Sequence, residues 1–95
     1  MRELLMEKFN IDSLEVYDSF WKKFRGLMFS KPRNIVFDLG RETRFNSAVH
    51  MFFVFFPLEV YWLDSSFNIV DQKRLKPFQI RIPKRKARYV VEIKR

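Results

Sequence analysis

The chain has no cysteine, two glycines and one histidine among its 95 residues, and each scarcity removes a class of chemistry. Without cysteine there is no disulfide framework and no thiolate metal site. Gly26 and Gly40 stand apart, so no glycine-rich loop is available to cradle a phosphate. A zinc site built on the lone His50 would need carboxylates or water at its other positions, an unusual donor set. The acids Asp12, Asp18, Asp38, Asp64 and Asp71 lack the spacing of a calcium loop. No metal and no cofactor are therefore expected. An unbroken apolar run is also missing. The richest stretch, Val49 to Leu63, is interrupted by His50, Pro57 and Glu59, and it falls short of the ~20 residues a spanning helix needs. The first residues carry charge where a signal peptide needs an apolar centre. These absences predict a cytoplasmic protein with no membrane segment.

What is present is apolar and aromatic. Hydrophobic residues make up 47% of the chain and aromatic residues 18%, which places it among globular proteins rather than disordered ones. The length suits a single domain spanning residues 1–95. The formal charge of +8 is uneven. Residues 73–95 hold ten of the nineteen lysines and arginines and one acid, Glu92, whereas residues 1–72 are close to neutral. A basic final quarter of this kind fits either an anionic partner or a solvated surface.

The pattern along the chain predicts a mainly β, α+β domain. Residues 1–13 are too short a window to assign between a helix face and an edge strand. Leu14 to Tyr17 reads as a short strand. Asp18 or Ser19 can cap a helix over Phe20 to Arg25, with Phe20, Phe24 and Leu27 on one face and Gly26 as its exit. Ser30 to Asn34 is a turn by composition, Ile35 to Leu39 a strand, and Gly40 to Thr43 the next turn or loop. Continuous hydrophobicity predicts that Ala48 to Phe56 is the main buried strand. Val60 to Leu63, Ile69 to Leu75, Gln79 to Ile82 and Tyr89 to Ile93 are further extended pieces, with a polar turn over Asp64 to Asn68 and a break at Lys76-Pro77. On the last strand Ala87, Tyr89, Val91 and Ile93 fall on one face. Several short strands and one short N-terminal helix packed on them suggest a small barrel-like sheet.

The residues then resemble a known family. Asp18-Ser19, Phe24-Arg25-Gly26-Leu27-Met28-Phe29, His50-Met51, Pro57-Leu58-Glu59-Val60, Leu63-Asp64 and Ala87-Arg88-Tyr89-Val90-Val91-Glu92 follow one another in the order and spacing of the DUF192 family. That family is a group of small archaeal and bacterial domains of unknown function, and the resemblance runs from about Leu14 to the C-terminus. It implies a compact, mostly β domain and no particular activity. The commoner bacterial pattern carries Lys-Asn-Thr ahead of the proline, where this chain has Phe52, Phe53 and Val54. A site formed by those polar groups elsewhere in the family cannot work the same way here, and the aromatic version resembles an archaeal branch.

Three sets of residues are candidates for function. His50 is the natural general base, with Glu59 or Asp38 to orient it and Ser47 three positions earlier. Positions 47 and 50 of one strand point to opposite faces, which argues against a Ser-His pair; the alternative is a core histidine bonded for structural reasons. Arg25 can serve a ligand or simply complement a helix C-terminus. Lys73, Arg74, Lys76, Arg81, Lys84, Arg85, Lys86 and Arg88 surround Phe78 and Tyr89, a mixture that can neutralise phosphates and stack on bases. No recognised nucleic-acid motif accompanies them. The sequence thus predicts a non-catalytic binding or interaction module of unidentified partner, with no catalytic residues. A nucleic-acid-associated protein using the basic quarter is the alternative, and a small hydrolase built on His50 a weaker one.

Overall fold

The computed structural model describes residues 1–17, 33–45, 47–51 and 54–94, His50 by its backbone alone. A five-stranded sheet runs in the order β1-β2-β7-β4-β5, formed by β1 (Glu15–Tyr17), β2 (Ile35–Thr43), β4 (Leu58–Leu63), β5 (Ile69–Leu75) and β7 (Ala87–Lys94). Only β1 and β2 are parallel. Two short strands, β3 (Val49–His50) and β6 (Ile80–Arg81), pair with each other as a separate ribbon. The sheet is mainly β, as expected, but it does not close. β1 and β5 stand at its two ends, so the barrel-like description gives way to an open sheet.

The alternation of β4 explains the layers. Leu58, Val60 and Trp62 point to one face, where they join Ile35, Phe37, Val90, Leu75, Val49, Met51 and Val54 in a core cluster. Leu63 points to the other, with Val36, Tyr89, Val91 and Ile93. That second face is covered by α1 (Arg2–Lys8), whose Leu5 is fully buried, and by Phe9 and Leu14. Seven residues are too few for a helix to persist alone in water. Packing holds it, together with Glu3 in the first turn and Lys8 in the last, both matched to the helix dipole. The Phe9 ring lies 4.6 Å from that of Tyr61 on the sheet. Asn34 ties the sheet's end together. Its side-chain amide donates to the Ser13 carbonyl at 3.2 Å, and its side-chain oxygen accepts from the Lys94 N–H at 2.9 Å.

Several expectations hold and others are corrected. The strands at 14–17, 60–63 and 69–75, the break at Lys76-Pro77 and the polar turn after Leu63 are found. In that turn Asp64 accepts from the backbone N–H groups of Ser66 and Asn68 at 2.9 and 3.0 Å, and these bonds, Asn68 first, hold its pKa below the ordinary value. Gly40 to Thr43 is not a turn but the continuation of β2. The register shifts between Asp38 and Thr43, and Gly40 takes a φ of 78° there, which is how a bulge absorbs its extra residue. Ala48 to Phe56 is not a long buried strand either. Among the described residues of that span Val49–His50 alone pairs; Met51 and Val54 are buried without belonging to a strand, and Phe55 is 63% exposed. Ala87 joins the Val90 side rather than that of Tyr89, Val91 and Ile93. The segment left open at 1–13 supplies α1, while the helix expected over Phe20 to Arg25, with its Asp18 or Ser19 cap and its Gly26 exit, lies outside the described residues, as do Phe52 and Phe53.

Trp62 is the largest fully buried side chain among the described residues, and its indole N–H donates to the Ser47 carbonyl at 2.6 Å. Trp62→Phe leaves that buried carbonyl without its donor, a loss of about 2 kcal/mol. We expect the melting temperature to fall by roughly 10 °C for a domain of this size; an unchanged melting curve would contradict the bond's role.

Candidate functional site

The basic quarter enters the structure as an edge and two turns. Lys73 and Arg74 lie on β5, the last strand of the sheet, and both are exposed. Lys76 follows at the break, Arg81 sits in β6, Lys84 to Lys86 form the approach to β7, and Arg88 lies within β7. Two of the eight cations are committed to carboxylates. Arg88 Nε bonds Asp38 Oδ1 at 3.1 Å, which raises the guanidinium pKa further, and its charge lies 5.0 Å from the Tyr89 ring centre. Arg81 Nη2 reaches both oxygens of Asp71 at 3.1 and 3.3 Å.

Asp71 organises this region. It is 8% exposed and accepts from the backbone N–H groups of Lys84 at 3.0 Å and Gln72 at 2.9 Å as well as from Arg81. Burial pushes its pKa up, but the bonds from Lys84, Gln72 and Arg81 outweigh that and lower it. The carboxylate thereby fastens the turn that begins at Lys84 to strand β5. Lys73, Arg74, Lys76, Lys84, Arg85 and Lys86 are all exposed, and none has a carboxylate partner among the described residues. A shallow groove of about 350 Å³ crosses β4 and β5 between Glu59, Tyr61, Gln72 and Arg74. Its floor places one acid among the cations.

Apolar side chains are exposed in β6 and in the turn before it. Phe78 is 63% exposed and Ile80 59%. The segment is pinned by backbone bonds. Phe78 N–H donates to Met51 O at 3.0 Å, Met51 N–H to Gln79 O at 2.7 Å and Gln79 N–H to Lys76 O at 3.2 Å. The Gln79 side chain adds a bond from Lys76 N–H at 2.8 Å.

His50 pairs through its backbone with Ile80, and its side chain and Arg25 lie outside the described atoms. The Ser47 hydroxyl, the nearest nucleophile in sequence, is buried and donates to the Thr43 and Arg44 carbonyls at 2.8 and 2.9 Å. Glu59 accepts from the Tyr61 hydroxyl, and Asp38 from Arg88 and the Gly40 N–H. Among the described residues no three His, Cys, Asp or Glu side chains lie close enough to hold a metal ion.

Sequence reasoning missed Glu92. It stands on the central strand between Ile35 of β2 and Val60 of β4, on the face of the larger apolar cluster, and is 5% exposed. No hydrogen bond or ion pair reaches it among the described residues. Burial pushes its pKa up to about 8. The signal was an acid set between Val91 and Ile93 inside an otherwise apolar run.

The sequence comparisons agree on a single group. The model of the family DUF192, described as Uncharacterized ACR, COG1430, matches residues 5–95. A UPF0127 protein of Pyrococcus horikoshii is 49% identical over 80 residues, covering 83% of this chain and 70% of that one. A UPF0127 protein of Thermococcus kodakarensis is 44% identical over 81 residues, covering 83% of this chain and 52% of its own, so the chain spans about half the length of such relatives. Among solved structures, a candidate transcription regulator from Sinorhizobium meliloti superposes with a TM-score of 0.77 at 19% identity, over 85% of this chain and 67% of that one. At that identity the likeness concerns the fold alone.

Glu92 makes stability depend on pH with a definite sign. Between its ordinary value of 4.5 and about 8 the folded protein keeps a proton that the unfolded chain has released. Stability therefore declines as pH rises through that window and levels off beyond it. Glu92→Gln is neutral throughout, so we expect parent and variant to melt together at acid pH and the variant to be the more stable above pH 8. Melting profiles that run parallel at every pH would contradict this.

Proposed function

The chain belongs to the DUF192 family, and from that premise we propose that it is a non-catalytic binding module that holds nucleic acid through residues 73–86. The observation that carries the reading is the set of six exposed cations, Lys73, Arg74, Lys76, Lys84, Arg85 and Lys86, with no carboxylate partner among the described residues. Exposed unpaired cations cost little in water and can displace the counterions that surround a phosphate backbone. Their grouping is not left to flexible loops. Asp71 anchors the Lys84 turn to β5, so one buried carboxylate gathers cations from two parts of the chain.

The groups that a hydrolase built on His50 would draw on are bonded elsewhere. Ser47 spends its hydroxyl on the backbone, and Asp38 and Glu59 have bonds of their own. The Sinorhizobium protein that shares this fold carries a regulator's name, which is compatible with nucleic-acid contact here but adds no residue to the argument.

Binding of labelled oligonucleotides, followed by anisotropy across a salt series, tests the proposal. The logarithm of the affinity should fall linearly with the logarithm of salt, with a slope of roughly −4 if all six cations meet a single strand. Replacing Lys84, Arg85 and Lys86 by alanine should flatten that slope by roughly 2. A protein that binds no oligonucleotide even at low salt would end this reading.

A further inference from the structure

We infer that Phe78 is a stacking platform for an unpaired base, so that the nucleic acid this domain prefers is single-stranded. The inference rests on the reading above and narrows its ligand. It begins from backbone geometry. Three non-glycine residues among those described have left-handed φ angles: Asn10 at 54°, Phe67 at 66° and Phe78 at 70°. Asparagine tolerates that region, because its short polar side chain bonds locally, but a bulky aromatic does not.

The two phenylalanines differ in what offsets the strain. Phe67 is half-buried, packs against the cluster under α1 and stacks on Tyr89 with ring centres 4.7 Å apart and planes 24° from parallel. Phe78 has no such return. Its ring is 63% exposed, and no aromatic or cationic group packs on it among the described residues. The strained backbone is nevertheless held firmly by the Phe78 N–H bond to the Met51 carbonyl, the Met51 N–H bond to the Gln79 carbonyl and the two Gln79–Lys76 bonds. A conformation that glycine would adopt freely is thus occupied by a rigidly mounted aromatic ring facing solvent.

Its surroundings say what such a ring meets. Lys76 precedes it by two residues, and Lys73 and Arg74 lie just before on β5. The Lys84 to Lys86 turn is tied to that strand through Asp71. A flat apolar face next to a row of cations matches a chain of planar bases joined by phosphates. In a duplex the base faces are occupied by their neighbours, so only an unpaired strand offers one to Phe78.

The test is to replace Phe78 by glycine and by tryptophan, and to measure single-stranded and duplex affinity together with thermal stability. Phe78→Gly relieves the left-handed strain, so its melting temperature should rise by a few degrees. Its affinity for a single-stranded oligothymidylate should drop about tenfold while the salt slope stays unchanged, since the slope counts phosphates and the ring contributes stacking. Phe78→Trp should keep or improve on the parent's affinity. Equal single-strand affinity for the glycine variant and the parent overturns the inference while leaving a phosphate-binding role intact. A parent preference for duplex, or a tryptophan variant as weak as the glycine one, does the same. A parent that binds neither form overturns both readings.

Discussion

Strand β7 is hydrogen-bonded along both edges, to β2 and β4, and buried on both faces. The rest of the molecule is arranged around that requirement. A strand covered on both sides must be apolar nearly throughout, and residues 87–93 comply except at Arg88 and Glu92. Arg88 lies near the bulged end, where Asp38 meets it. Glu92 has no such outlet. It stands in a cross-strand row with Ile35 and Val60, and the nearest cation of that row, Lys73, belongs to the strand beyond Val60. Two strand spacings separate them, about 10 Å, too far for an ion pair. Burial therefore governs Glu92 and keeps its proton on.

The outer strand obeys the opposite rule. Among the described strands β5 has one neighbour, and an edge of that kind invites a further strand from another molecule. Lys73 and Arg74 guard that edge with charge, and the same residues begin the basic surface. One local arrangement thus guards the edge and, in the function proposed above, begins the contact surface. Asp71 links the two roles, because the carboxylate that seals the side of β5 also fixes where the next cations emerge.

Much of the sheet was legible because local signals agreed with the tertiary outcome. β5 is bounded by the Asp64 to Asn68 turn and by Lys76-Pro77, and both boundaries are set by residues that cannot continue a strand. The segment from Ala48 to Phe56 misled because hydrophobicity reports burial, not hydrogen bonding. Met51 and Val54 are buried although neither belongs to a strand. Gly40 misled in the opposite sense: a glycine with charged neighbours reads as a turn, yet here it carries a bulge within β2. The cationic candidates were visible as composition, but the removal of Arg81 and Arg88 by Asp71 and Asp38 depends on contacts across ten and fifty positions of chain. No local pattern encodes such pairings.

The position of β7 also bears on how the protein is made. It is the last strand in sequence and the middle one in space, so β2 and β4 never touch each other as partners. Until β7 has been made, the nascent polypeptide can pair β1 with β2, β4 with β5 and β3 with β6, and the two halves of the five-stranded sheet each keep a raw inner margin. Until synthesis has passed Lys94, those margins are open to chaperones and to neighbouring nascent chains. Completion of the sheet is thus an insertional event, in which β7 enters between two pairs of strands made before it.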